Sequence, residues 1–360
     1  MNFVLIVTNL AGGGAERAML NIASLLAGRG HSVDLILLEQ VIDHAMLKDI
    51  NLHIIAPKSM GHGWLSKRLA AWRLANLWHK LNHHRRIDLT ISTLPFCDEV
   101  VRLARLPRVR YRIANTLSAE IELLAQRNPV KAARRRERYR HLYGGQALVA
   151  VSQGVATDLQ ENLKLSSDIE VIHNPFDFSY IHKLAAEHVD NLPNRPFAIH
   201  VGRFAPQKRH DLLLDAWKLA GLDIDLVLLA EPSININLLI ESRGLTGRVI
   251  VAGFQRNPFP WIAAAELLVL CSDHEGLPNV LVEALICGTR VVSTDCPSGP
   301  SEVLCGELAR WLVPMNNATA LAERMQTALQ EARPVIQNEL DAFAAATVAA
   351  RYESLAMRAH

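Results

Sequence analysis

Two glutamates, Glu275 and Glu283, stand eight positions apart in the run DHEGLPNVLVEALICGTRVVSTDCPSGPSE, from Asp273 to Glu302. A Gly-Leu-Pro-Asn turn (residues 276–279) separates the first from an apolar stretch that carries the second. That stretch predicts a helix, with Glu283 inside it and Glu275 just before its start. Eight helical positions are about two turns, so the second carboxylate falls on roughly the face that begins at the helix start. A helix N-terminus presents unpaired backbone N–H groups and the positive end of a dipole, which suits a phosphate. The segment reads as an anion cradle flanked by two carboxylates. Backbone N–H groups would take a diphosphate and the carboxylates would take hydroxyls, as a sugar nucleotide requires.

A second segment, Gly202-Arg203-Phe204-Ala205-Pro206-Gln207-Lys208-Arg209, lies between a predicted strand and a predicted helix. Arg203 and Lys208 can close on a diphosphate from two sides, each charge-assisted bond contributing roughly 1.5–3 kcal/mol. Taken alone, the loop reads more readily as solvated basic surface, and it is the Glu275–Glu302 segment that favours a site. Gly12, Gly13 and Gly14 follow the first predicted strand and open a helix at Ala15. Glycine lets backbone approach a bound group closely. The spacing is not Gly-x-Gly-x-x-Gly, so a dinucleotide site is weakly supported, and a tight turn without ligand is the plain alternative.

These segments need a scaffold that delivers loops to one edge. Short apolar runs alternate with helical stretches through most of the chain, which predicts parallel sheets covered on both faces. Predicted strands are Phe3–Thr8, Ser32–Leu38, Leu52–Ile55, Leu89–Ser92, Tyr111–Asn115 and Ala147–Val151, then Ala198–Val201, Asp225–Leu229, Arg248–Ala252, Leu267–Leu270 and Arg290–Thr294. Each series opens with a strand, a loop and a long helix (Ala15–Arg29, then His210–Ala220). Turn residues between His173 and Pro196 mark the break. The expected organisation is α/β, with residues 1–175 as one domain and 190–340 as a second. A C-terminal helix in 341–360 is expected to return to the first. The Ala-rich tail from Ala318 should be helical but interrupted at Pro334.

GGGAER at 12–17, VSQGV at 151–155, HNPFD at 173–177, GRFAPQKR at 202–209 and EGLPNVLVEALICG at 275–288 occur in this order. Together they resemble a family 4 retaining glycosyltransferase of the GT-B fold, with two Rossmann-like domains facing across a cleft. The resemblance runs from Val4 to about Pro314, and TDCPSGPSE at 294–302 resembles the branch that adds N-acetylhexosamine or hexose units to bacterial surface glycans. It implies that Arg203 and Lys208 hold the donor diphosphate, that Glu275 contacts the donor sugar and that Glu283 binds the ribose. It implies that Leu277, Pro278, Asn279 and Val280 line the cradle, that Phe254 lies near the base, and that Gly13 and Gly14 face it from the other domain. It further implies a UDP-linked donor and no metal or other cofactor. Many relatives carry a histidine after the fifth strand of the first domain. Ile113–Glu120 has none here, and Asn115 or Glu120 stands in its place. Two other readings of the scaffold are a nucleotide-sugar epimerase and a non-catalytic glycan- or membrane-binding protein.

Charge distribution bears on the acceptor. Residues 1–150 hold 22 Lys/Arg against 11 Asp/Glu, and residues 151–360 hold 16 against 25. The basic half should meet an anionic partner. Arg134, Arg135 and Arg138, with Arg127 and Lys131, fall at helical spacing. Trp64, Trp72 and Trp78 are interleaved with Lys67, Arg68, Arg73 and Lys80, as in an interfacial helix, though core packing explains such a stripe equally well. The partners expected are a nucleotide-sugar donor, a glycan or lipid-linked glycan acceptor and an anionic membrane, with no nucleic acid. Five scattered cysteines without a Cys-x-x-Cys pair, no apolar run of membrane-spanning length and no basic leader predict a cytoplasmic protein, placed at the inner face of the plasma membrane.

Overall fold

The computed structural model describes all residues except 12, 43–48, 57–60, 62, 335–337 and 359–360. The chain divides into two compact units. The first comprises Met1–Pro175 with Ala345–His360, and the second Phe176–Ala344. The second begins before residue 190 because the helix Phe178–Ala185 packs on the helices Phe259–Ala264 and Asn279–Ile286.

The first unit is built on seven parallel strands: β1 (Asn2–Val7), β2 (Ser32–Glu39), β3 (Asn51–Ala56), β4 (Leu89–Thr93), β5 (Val109–Ile113), β6 (Ala147–Ala150) and β7 (Asp168–Val171). Their order in the sheet is β3-β2-β1-β4-β5-β6-β7. Val4 of β1 lies opposite Asp34 of β2 on one side and Thr90 of β4 on the other. Phe3 to Val7 are wholly buried, as central strands covered on both faces must be. The helix Gly14–Gly28 contributes Met19, Ile22, Ala23 and Leu26 to this core.

The second unit repeats the plan with six parallel strands: β8 (Phe197–Val201), β9 (Asp225–Leu229), β10 (Val249–Val251), β11 (Leu267–Leu270), β12 (Arg290–Thr294) and β13 (Leu312–Val313), in the order β10-β9-β8-β11-β12-β13. Its helix His210–Ala220 holds the place that Gly14–Gly28 holds in the first. In both sheets the strand order reverses beside the first strand, between β1 and β4 and between β8 and β11. Loops leaving the carboxyl ends of strands at such a point separate and leave a crevice for ligands.

The tail helix Ala318–Gln330 ends before Pro334, and a separate helix, Ala345–Arg358, belongs to the first unit. There Val348, Tyr352, Leu355 and Ala356 join the core around Phe3 and Leu26. Glu353 accepts from Arg29 Nε at 2.7 Å and pairs with His31 Nε2 at 2.7 Å. These bonds hold its carboxyl down at about 2.

Candidate donor site at the switch point of the second sheet

The loop after β8 and the loop after β11 meet at the switch point. Lys208 Nζ donates to Glu275 Oε1 at 2.6 Å. Ser272 Oγ donates to the same oxygen, also at 2.6 Å, and Glu275 is buried. Backbone bonds lock the two loops together: Asp273 N donates to Gln207 O at 2.8 Å, and Gln207 Nε2 to His274 O at 2.6 Å. Arg209 adopts a left-handed backbone (φ 48°) and turns its guanidinium onto Asp211 at 3.0 Å and Asp273 at 2.8 Å. The charge that follows Lys208 in sequence is therefore committed to the scaffold.

The third wall is the segment after β12. Glu275 N donates to Pro297 O at 3.2 Å. A Cβ on Gly299 would collide with the Pro278 ring, and its φ of 101° disfavours any other residue. Leu277, Pro278 and Val280 are buried in this wall. The helix Asn279–Ile286 starts there, with Pro278 before it and no side-chain cap on its N-terminus. Glu283 is half-buried one turn further in, and Arg203 is exposed on the β8 loop, with no ion-pair partner among the described residues. Lys208, Glu275, Leu277, Pro278, Asn279, Val280 and Glu283 are thus on two joined loops and one helix.

Phe254 is set apart. It is 67% exposed, at the end of the edge strand β10, and β9 lies between that strand and β8. The strands that lead to Phe254 and to the Lys208 loop are thus two strand spacings apart, about 10 Å within the sheet. Gly13 and Gly14 belong to the first unit, at the start of the helix Gly14–Gly28, where a Cβ on Gly13 would collide with the Glu16 carboxylate. Gly12, the first residue of that motif, lies outside the described residues.

Sequence reasoning missed what lies beneath the β8 loop. His200 and His210 are buried with ring centroids 4.8 Å apart, and the Phe204 ring meets His210 edge-on at 5.1 Å. His200 Nδ1 is bonded to Val269 O at 2.9 Å, which makes it the donor. Burial first, and the Lys208 charge as well, pushes His200 down to about 3 and His210 down to about 4. Both rings are neutral packing beside Lys208, and nothing in a local motif signals the pairing. Burial also raises the thiols of Cys271 and Cys296 out of the range of thiolate chemistry.

The first unit's switch point differs. Leu94, after β4, has a φ of 74°, and the helix Pro95–Ala104 starts beside it. Under it Asp98 accepts from Ser92 Oγ and from Tyr143 OH, the latter at 2.7 Å. Burial raises the Asp98 carboxyl to about 7, against the pull of those two bonds. After β5, Asn115 Nδ2 donates to Glu120 Oε1 at 2.7 Å and Tyr139 OH donates to Glu120 Oε2 at 3.3 Å.

The expected basic face is partly consumed. On the helix Pro129–Tyr143, Arg138 pairs with Glu99, while Arg136 and Arg140 donate to the carbonyls of Asn162 and Leu163. Arg134 stays exposed and Arg135 half-exposed. Among the described residues no group of three His, Cys, Asp or Glu is placed to hold a metal ion. No described helix is long and apolar enough to cross a membrane.

A family model described as Glycosyltransferase Family 4 matches residues 12–180, and one described as Glycosyl transferases group 1 matches residues 195–331. The chain belongs to the glycosyltransferases that these models describe and is an enzyme of that class. It is 27% identical over 329 residues to the N-acetylgalactosamine-N,N'-diacetylbacillosaminyl-diphospho-undecaprenol 4-alpha-N-acetylgalactosaminyltransferase of Campylobacter jejuni, covering 90% of this chain and 89% of that one. Among solved structures, the sucrose-phosphate synthase of Thermosynechococcus elongatus superposes with a TM-score of 0.78 at 17% identity, over 99% of both chains. The Anabaena protein HepE, in complex with UDP and glucose, gives a TM-score of 0.72 at 18% identity, over 99% of this chain and 100% of that one. These likenesses give the fold as GT-B.

Proposed function

We propose that this enzyme transfers a hexose or N-acetylhexosamine from a UDP-linked donor to a lipid-linked glycan or lipopolysaccharide acceptor, with retention at the anomeric carbon. The observation that carries the reading is the Lys208–Glu275 contact of 2.6 Å beside the uncapped start of the helix Asn279–Ile286. A departing nucleoside diphosphate needs negative charge stabilised as it develops, and prearranged donors supply that most effectively. Lys208 and Arg203 are the cations for the diphosphate. Glu275, anchored by Ser272, faces the sugar, and Glu283 binds the ribose hydroxyls. Leu277, Pro278, Asn279 and Val280 shape the cradle, Phe254 flanks the base, and Gly13 and Gly14 keep the first unit's contribution free of side chains.

On this reading, the leaving phosphate takes the acceptor's proton on the face it departs from. No separate strong base and no metal ion are required, because cations and helix dipole carry the charge. Two comparison proteins support the partners: the Campylobacter jejuni enzyme is named for a diphospho-undecaprenol-linked acceptor, and the Anabaena protein binds UDP and glucose. The reading makes the enzyme cytoplasmic, with its acceptor lipid in the inner leaflet. A screen of nucleotide-sugars for thermal stabilisation, followed by transfer to lipid-linked acceptors with NMR of the new linkage, tests it. Stabilisation by a UDP-sugar and an α-product from an α-donor are expected. An inverted product, or conversion of donor with no acceptor present, overturns it.

A further inference from the structure

Arg209 stands where local rules would place another residue. It is the N-cap of the helix His210–Ala220, with a φ of 48° and a ψ of 49°. A left-handed backbone crowds any Cβ and favours glycine or asparagine. A helix start favours Ser, Thr, Asp or Asn, whose side chains accept from the first N–H groups, and its positive dipole end disfavours a cation. The Arg209 side chain makes no capping bond to this helix. Residues that break local rules and are held there by their surroundings cluster at functional positions.

The guanidinium grips segments that follow three different strands of the second sheet. Nε and Nη2 donate to the two oxygens of Asp211, each at 3.0 Å, in the helix after β8. Nη1 donates to Asp273 at 2.8 Å, in the loop after β11, and to Asn316, in the turn after β13. Asn316 is itself left-handed, at φ 56°, and Asn317 beside it caps the helix Ala318–Gln330 by accepting from Ala320 N at 2.9 Å. On the main chain, Cys271 Sγ donates to Lys208 O at 3.3 Å and to Arg209 O at 3.4 Å. Lys208 is one residue before Arg209, and Glu275 is two residues after Asp273. The Arg209–Asp273 ion pair therefore ties together the two backbones that present Lys208 and Glu275. All three guanidinium nitrogens are engaged, so Arg209 acts through its neighbours.

We propose that Arg209 is a positioning residue for the donor diphosphate: its grip on Asp211, Asp273 and Asn316 holds the Lys208 ammonium in register with Glu275. A lysine is a point charge on a flexible stem, so its charge is prearranged only if the backbone beneath it is fixed. Glycine would suit the backbone at residue 209 better, but only a guanidinium fork reaches two carboxylates and an amide together. The inference rests on the donor reading above and adds to it the group that fixes Lys208.

The test titrates UDP and uridine, which differ only in the diphosphate, into the full chain and its variants, with thermal unfolding in parallel. Lys208→Ala is expected to weaken UDP about ten-fold or more. Arg209→Gly should weaken UDP about five-fold and leave uridine unchanged. Its Tm should stay near the parent's, because glycine takes this backbone without strain. Asp273→Ala cuts the same tie from the other end and should show the same split between the two ligands. The double variant Lys208→Ala with Arg209→Gly should bind UDP no more weakly than Lys208→Ala alone, since one residue acts through the other. Parental UDP affinity in both Arg209→Gly and Asp273→Ala, equal losses for UDP and uridine, or losses that multiply in the double variant each overturn the inference. A parent that ignores UDP, or a Lys208→Ala variant that binds it as the parent does, sinks the donor reading and this inference with it. A loss confined to Lys208→Ala sinks this inference alone.

Discussion

The two sheets follow one plan, yet their switch points are furnished in opposite ways. In the second unit, charge stands at the rim: Lys208 and Glu275 are paired where the loops after β8 and β11 join, with Arg209 and Asp273 bracing them. In the first, the ionisable group sits below the rim as a buried carboxyl, Asp98, held by two hydroxyls. A shared topology supplies two similar switch points, and on the proposed reading the side chains decide which one takes the donor diphosphate.

The sharpest way to break this contrast is Lys208→Ala. Transfer should fall about 10²- to 10³-fold, the cost of losing one prearranged group at a developing oxyanion, with the fold retained by circular dichroism. Glu283→Ala should nearly abolish transfer as well, through loss of donor binding measured by UDP titration. Full activity in either variant would remove the second switch point from the chemistry. Phe254→Ala should act mainly on donor KM, by about ten-fold, since stacking on a base contributes roughly 1–3 kcal/mol. A change in kcat alone would place the ring elsewhere. Ser272→Ala removes a bond to Glu275 and should cost transfer about five-fold, near the net worth of a single hydrogen bond.

The first unit is probed by pH. Asp98 is raised to about 7 in the folded chain by burial, so between about pH 4 and 7 the folded state binds more protons than the unfolded one. Its contribution is fully present below the unfolded value and is lost as pH rises through 7. Chemical denaturation across that window should show the loss, and Asp98→Asn should flatten it. An unchanged slope would mean that the carboxyl is ionised in place.

Most of the scaffold was legible because buried parallel strands leave continuous apolar runs. Leu267–Leu270, Asp225–Leu229 and Arg290–Thr294 match their predicted limits. β7 was missed because Asp168–Val171 alternates acid with aliphatic on a half-exposed edge, and β13 because two residues carry no period. The helix start at Asn279 was legible because backbone dictates residue type at the Gly-Leu-Pro turn before it. Side-chain partnerships were not. Whether Arg138 is available depends on Glu99, which lies in another helix, and the sorting of buried Trp78 from exposed Trp72 depends on Thr90 and the surface behind it. The His200–His210 contact likewise forms between a strand and the helix after the loop.

The helix Ala345–Arg358 has a consequence for how the chain is made. Its Tyr352 and Leu355 share a core with Phe3, a residue that leaves the ribosome more than three hundred positions earlier. The opening lobe therefore waits, its groove open, until synthesis of the intervening lobe is over. A nascent chain stalled after the second sheet carries a sticky, incomplete first half, the kind of species that chaperones engage.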